Sequence, residues 1–156
     1  MELKERVVII TGGASGLGAH YARHLTSLGA KVLIADLDGE RASSYAGQLN
    51  AELDDERVHG VRTDTTSESD TAAMADLALE KFGRIDVLVN NAGYYPHTAF
   101  DDISLELWHR VMRVNLDSPF LCTRAVVPAM REAGSGKIIN VATNLVWTGL
   151  PEMTHY

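Results

Sequence analysis

Between residues 11 and 18 the chain reads TGGASGLG, and the glycines at 12, 16 and 18 are spaced for one kind of chemistry. A loop that turns tightly on residues without a Cβ lets an anionic group approach the backbone N–H groups that open the next helix. There the helix macrodipole favours negative charge. A pyrophosphate suits such a loop. Eighteen residues after Gly18 stands Asp36, at the end of a second apolar run. A carboxylate in that place accepts hydrogen bonds from the hydroxyls of an adenosine ribose and repels a phosphate added to it. Neither Ala14 nor Leu37 supplies a basic side chain to offset that repulsion. The pattern therefore implies NAD rather than NADP, held around Gly12, Ser15, Gly16, Leu17, Gly18, Asp36 and Leu37. Asp36 has a plainer reading as a solvated strand end or a helix cap, but Asp38 can do that capping instead.

Residues so placed need a scaffold that ends strands where helices begin. Five apolar, β-branched runs supply the strands, at residues 6–13, 31–36, 57–64, 84–93 and 137–143. They are close to continuous in apolar residues rather than alternating, as parallel strands covered on both faces are. Helical spacing fills the gaps. Leu17, Tyr21, Leu25 and Leu28 recur on one face before Gly29. Residues 38–49 carry Ala42, Tyr45, Ala46 and Leu49. Ser67 and Asp70 resemble a capping box ahead of Met74, Leu77, Ala78 and Phe82, with Gly83 as the stop. A long helix is expected over 104–131, bent or interrupted at Pro119 and Pro128. Strand and helix alternate without a repeat or linker. The expectation is a Rossmann-like doubly wound parallel β-sheet with helices on both faces, in a single dinucleotide-binding domain over 1–156.

The spacing G-x-x-x-G-x-G, together with NNAG at 90–93, resembles the short-chain dehydrogenase/reductase family. The resemblance spans the chain, through Asp64 after the third strand, VNL at 114–116 and GKIINVAT leading to Tyr156. It implies that Asp64 and Thr65 meet the adenine end of the cofactor. It implies too that Asn91, Ala92 and Gly93 line its groove by backbone contacts, and that Val114 packs beside it. The family's catalytic set is Asn, Ser, Tyr and Lys. Asn115 matches the first and Tyr156 the third, as acid/base and as a cofactor neighbour. The serine stands thirteen residues before the tyrosine in the family, and here that position is Thr143; no serine occurs between Lys137 and Tyr156. A threonine can still donate to a carbonyl oxygen, although its methyl group restricts the rotamer. Thr148 and Thr154 are weaker candidates. The family lysine is expected four residues past Tyr156, so the resemblance implies that the C-terminal part of the fold lies beyond this sequence. Asn115 would hold a water in a proton relay, or cap a helix break near Pro119.

The resemblance implies hydride transfer between NAD and an alcohol or ketone, with the missing lysine lowering the phenol's pKa from about 10. Around Tyr156 stand Val146, Trp147, Leu150 and Met153, and residues 94–100 follow the NNAG loop. An apolar or aromatic substrate is expected, and the local pattern is similar to that of family members that oxidise pyridoxal and secondary aromatic alcohols. A dinucleotide-binding module without turnover and an NADP-dependent carbonyl reductase are the alternatives. A net charge of −7, from fourteen basic and twenty-one acidic residues, argues against nucleic acid or an anionic membrane as partner. After charges at Glu2, Lys4, Glu5 and Arg6, the first apolar run is too short for a signal peptide or a span, so the chain reads as cytoplasmic. The family resemblance implies a homo-oligomer, a dimer or tetramer. Cys122 reads as core packing. His20 and His24 lie one helical turn apart and read as a solvated face, so no metal is expected.

Overall fold

In the computed structural model, which describes residues 3–156, all five expected runs are strands of one parallel sheet. Glu2 lies outside the described residues. The strands are β1 (Val7–Thr11), β2 (Lys31–Asp36), β3 (Val58–Arg62), β4 (Val87–Asn90) and β5 (Lys137–Asn140), in the order β3-β2-β1-β4-β5. Ile9 pairs with Leu33 on one side and Leu88 on the other. Side chains alternate across this sheet, and both faces are apolar. Val8, Ile10, Val32, Ile34 and Val89 pack on one face against α1 (Gly16–Ser27) and α2 (Gly39–Leu53). Ile9, Leu33 and Leu88 meet α3 (Glu68–Phe82) and α5 (Ser118–Glu132) on the other. Two covered faces are the physical reason for the continuous apolar runs. Each fully buried aliphatic side chain contributes about 1.5–3 kcal/mol relative to exposure.

Helix ends follow the caps. Asp38 accepts the Arg41 N–H at 3.0 Å and caps α2, which runs four residues further than expected, to Leu53, where Asp54 turns left-handed at φ 52°. Ser67 accepts the Asp70 N–H at 3.2 Å, and Gly83 at φ 75° ends α3. The box is not reciprocal, however. Asp70 turns its Oδ2 to the Asp64 N–H at 3.0 Å, tying the loop after β3 to the helix. In α1 the buried residues are Gly18, Ala22 and Thr26; Leu17 and Leu28, expected on the buried face, are exposed. Leu17 sits in the first turn over the strand ends, and Leu28 lies past the last turn.

The long helix is the main departure. It divides into α4 (Leu105–Met112), a π-turn (Arg113–Asp117) and α5, and the break is not at a proline. Pro119 follows the π-turn by two residues inside a helical run unbroken from 105 to 132, where its missing N–H removes a ladder bond, and Pro128 is carried inside α5. A wider turn at 113–117 reorients Asn115, as π-bulges do. One further turn, α6 (Leu145–Thr148), follows β5. Cys122 is fully buried, and burial pushes its thiol up to about 12, in keeping with packing. β5 is an edge strand with Ile138 and Ile139 partly exposed.

Candidate active site

The chain leaves β1, β2 and β3 toward one side of the sheet centre and β4 and β5 toward the other, so the order reverses between β1 and β4. A crevice opens beyond the strand ends at such a switch point. Here it is a cleft of about 1200 Å³, above the ~300–1000 Å³ of a pocket for a drug-sized ligand. Five strands at about 4.8 Å spacing make it roughly 19 Å long. That suits an extended ligand.

Of the residues expected to hold the cofactor or act on the substrate, all but Gly18 line this one cleft, while the weaker hydroxyl candidates Thr148 and Thr154 do not. Ser15, Gly16 and Leu17 are at its middle, with Asp36, Leu37, Asp64 and Thr65 toward β2 and β3. Ala92, Gly93, Val114, Asn115, Thr143 and Tyr156 lie toward β4 and β5, and Gly12 and Asn91 complete the set. Gly18 lies beneath the loop. A Cβ there would be driven into the Gly12 carbonyl oxygen and stand 2.7 Å from Asn91 Nδ2, so only glycine lets the loop close on α1. Gly12 itself has φ 61°, which a side chain would strain. The α1 N-terminus has no side-chain cap and no acid in its first turn. Its open N–H groups therefore remain as donors.

Asp36 is held by its own neighbourhood. Oδ2 accepts the Ala14 N–H at 3.0 Å and Oδ1 the Asp38 N–H at 3.1 Å, so the carboxylate is not free as expected but is fixed with one lone pair per oxygen committed. Asp64 Oδ1 accepts both the Thr66 N–H at 2.9 Å and its hydroxyl at 2.7 Å.

The NNAG loop differs from expectation in a way that decides its chemistry. The N–H groups of Asn91 and Ala92 both donate to Thr11 Oγ1, at 3.0 and 3.1 Å, and are engaged within the protein. Asn91 Nδ2 donates to the carbonyls of Thr11 and Gly12 at 3.0 and 3.1 Å. Thr11 and the Asn91 amide thus staple the glycine loop to β4. A backbone contact to a ligand is left to the carbonyls and to Gly93. Asn115 also acts on this loop: its Oδ1 accepts the Tyr94 N–H at 2.9 Å and its Nδ2 donates to the Tyr94 carbonyl at 2.7 Å. Both polar atoms are occupied, leaving one N–H and one lone pair for a water. The Arg110 guanidinium lies 4.5 Å over the Tyr94 ring, on the same strap.

Thr143 Oγ1 accepts the Leu145 N–H at 3.2 Å, which leaves its own hydrogen to donate. The Tyr156 ring is 5.3 Å from that of Tyr95 at 44°, and partly exposed. Of the apolar residues expected near the substrate, Val146 lines the cleft, while Trp147 is 87% exposed and Met153 is buried. Among the described residues no lysine lines the cleft and no group of acids, histidines and cysteines could hold a metal. Sequence reasoning missed Thr11. A threonine closing a β-branched run carries no mark beyond strand propensity, while Tyr94 and Tyr95 line the cleft from the 94–100 stretch that was expected beside the substrate.

A five-stranded parallel sheet with helices on both faces and a glycine loop at its switch point defines a Rossmann-like α/β domain. The short chain dehydrogenase family model matches residues 6–156, and the chain belongs to that family. It is 38% identical over 143 residues to trans-4-hydroxycyclohexanecarboxylate dehydrogenase of Sinomonas cyclohexanicum, covering 89% of this chain and 55% of that protein. It is 40% identical over 138 residues to the 3-alpha-(or 20-beta)-hydroxysteroid dehydrogenase of Mycobacterium tuberculosis, covering 88% and 51%. Among solved structures it is similar to a 3-ketoacyl-(acyl-carrier-protein) reductase from Brucella melitensis complexed with NADH. The TM-score there is 0.92 at 33% identity, over 99% of this chain and 64% of that one. The chain spans about half the length of these two curated relatives.

Proposed function

We propose that the cleft binds NAD(H) and that the complete protein interconverts an alcohol and a ketone, with Tyr156 as the acid/base. The observation that carries this reading is one cleft lined by an uncapped helix N-terminus, by Asp36 and by Asn115, Thr143 and Tyr156. The residues present fit a dinucleotide. The open N–H groups of α1 receive the pyrophosphate, Asp36 keeps lone pairs for ribose hydroxyls, and Gly18 lets the backbone come close. When bound, the nicotinamide supplies or takes the hydride. Thr143 donates its free hydrogen to the substrate oxygen and orients it. Tyr156 takes the hydroxyl proton in oxidation and returns it in reduction. The ammonium that lowers the phenol's pKa is assigned to a lysine four residues past Tyr156, and Asn115 holds a relay water through its remaining valences.

The substrate is assigned as an apolar alicyclic or aromatic alcohol. Tyr94, Tyr95, Leu116 and Val146 give the cleft an apolar wall, and the two curated relatives are named for alicyclic alcohols. A homo-oligomer in the cytoplasm, working as one dinucleotide-binding domain with the residues beyond Tyr156, completes the proposal. The test is fluorescence titration of the full natural product with NADH and NADPH, followed by NADH formation from a panel of secondary alicyclic and aromatic alcohols. Tight NADH binding with turnover of at least one such alcohol is expected. Binding without turnover of any would favour a dinucleotide-binding module instead.

A further inference from the structure

The residue before Tyr156 is a histidine with no access to solvent: His155 is 0% exposed, although both its sequence neighbours are exposed. Its Nε2 lies 3.0 Å from the Pro96 carbonyl oxygen. A carbonyl only accepts, so Nε2 carries the hydrogen of this bond. Nδ1 is buried and has no hydrogen-bond partner among the described residues. A buried ring nitrogen left unpaired carries a desolvation cost that a leucine of similar volume would avoid. The fold carries a polar ring where an apolar one packs more cheaply, and the single bond that the ring makes goes to the strap after the NNAG loop.

That bond is one of three contacts between the same two segments. The Thr98 N–H donates to the Glu152 carbonyl at 2.9 Å, and the Tyr95 and Tyr156 rings meet at 5.3 Å between centroids. Residues 95–98 therefore hold residues 152–156 by a backbone bond, a ring pair and the buried imidazole. The other end of the strap is fixed by Asn115, through both backbone groups of Tyr94. Asn115 and Tyr156 come from separate elements, and the strap is what sets one against the other. His155 is adjacent to Tyr156 in the chain, so the bond that fixes its ring to the strap also bears on where Tyr156 stands.

We propose that His155 is a positioning residue. Through the Pro96 carbonyl it fixes where the Tyr156 phenol stands in the cleft, and it registers that phenol against Asn115. The claim deepens the reading of Tyr156 as acid/base and rests on it. A donor at the reach of Nε2 is what the role requires. A glutamine amide supplies one, and a leucine fills the space without one.

The test uses 3-fluorotyrosine in the full natural product, with the 19F resonances of Tyr21, Tyr45, Tyr95 and Tyr156 assigned from single phenylalanine variants. In H155L the Tyr95 and Tyr156 resonances should shift toward that of free fluorotyrosine while Tyr21 and Tyr45, on the far face of the sheet, stay in place. H155Q should restore both. With a substrate alcohol, H155L should lose at least tenfold in kcat with NADH affinity and KM within about threefold of the parent, and H155Q should recover most of the loss. Unmoved Tyr156 resonance in H155L overturns the proposal, as does equal loss of kcat in H155Q and H155L. If H155L does not fold, 15N-histidine spectra of the unmutated protein decide: a slowly exchanging Nε2–H, absent from H155Q, supports the proposal and its absence overturns it. Should Y156F retain full turnover, the acid/base reading fails, and the 19F shifts still report separately whether His155 holds the segment.

Discussion

Replacing Gly18 by alanine should disable the cleft from beneath. The added Cβ would stand 2.7 Å from Asn91 Nδ2 and 2.9 Å from the Gly12 carbonyl carbon, and closer still to the Gly12 oxygen. Relief requires the loop and α1 to separate by more than about 1 Å to reach ordinary contact, because the Gly12 oxygen, the nearest of the three atoms, sets the distance. Neither neighbour is the end of a flexible chain: one is backbone, and the other is an amide pinned by two bonds to Thr11 and Gly12. Overpacking costs about 1–3 kcal/mol and a weakened hydrogen bond about 1 kcal/mol. The sum, about 2–4 kcal/mol, corresponds to a fall in Tm of roughly 5–15 °C for a domain of this size. The same separation pulls the N–H groups of α1 away from a bound pyrophosphate, so NADH affinity should fall at least tenfold. Thermal melts with and without NADH, and a fluorescence titration, measure both effects. Gly47→Ala is the control. Nothing lies within 4 Å of its Cβ and it sits inside α2, so it should stabilise by about 0.5–1 kcal/mol and leave NADH binding alone. A Gly18→Ala protein that melts and binds NADH like its parent would refute the close-packing argument.

The remaining predictions concern charge and the hydroxyl. Asp36 should favour NADH over NADPH by about 100-fold, and Asp36→Ala should erode that preference, measured as the ratio of the two dissociation constants; equal affinities in the parent would exclude the assignment. Thr143→Ala should lower turnover strongly with NAD binding almost unchanged and Thr143→Ser should be tolerated, so normal turnover in the alanine variant would move the role to Thr148. Asp86 is buried below the sheet, and although burial alone would raise its pKa, bonds from Arg84 at 2.5 Å, the Val7 N–H at 2.9 Å and Arg6 at 2.7 Å lower it. A depressed carboxylate stabilises the fold above its unfolded pKa of about 3.9 and loses that stabilisation as pH falls through the folded value. Asp86→Asn should therefore cost about 2 kcal/mol at pH 7, discounted for the half-exposed arginines, with the gap closing below about pH 4 in urea melts. A gap that stays constant down to pH 2 would contradict this.

The strands were legible because burial on both faces demands continuous apolar runs, a requirement written into consecutive residues. Caps such as Asp38, Ser67 and Gly83 act within one turn and were legible for the same reason. The π-turn was not, since a wider turn over Arg113–Asp117 leaves no residue type behind, and the two prolines drew attention away from it. Leu17 and Leu28 have helical spacing but stand at the ends of α1, where no neighbouring element covers them. The residues lining the cleft followed from the glycine loop and the family resemblance. What each polar atom bonds did not, because the partners are far apart in the chain. Thr11 and Asn91 meet across 80 residues, and His155 meets Pro96 across 59. A motif names Asn91 as a groove residue without revealing that its N–H is already spent on Thr11.

The most direct measurement of the central claim is turnover by Tyr156→Phe in the full natural product, with NADH affinity determined on the same preparation. The ring and its contact with Tyr95 are retained, and only the phenolic oxygen is lost. A positioned acid/base contributes about 10²–10⁴ in rate. We predict that kcat for a secondary alcohol falls by at least a hundredfold while the NADH dissociation constant stays within threefold. A phenylalanine variant that turns over alcohol at the parent's rate would contradict the assignment of Tyr156.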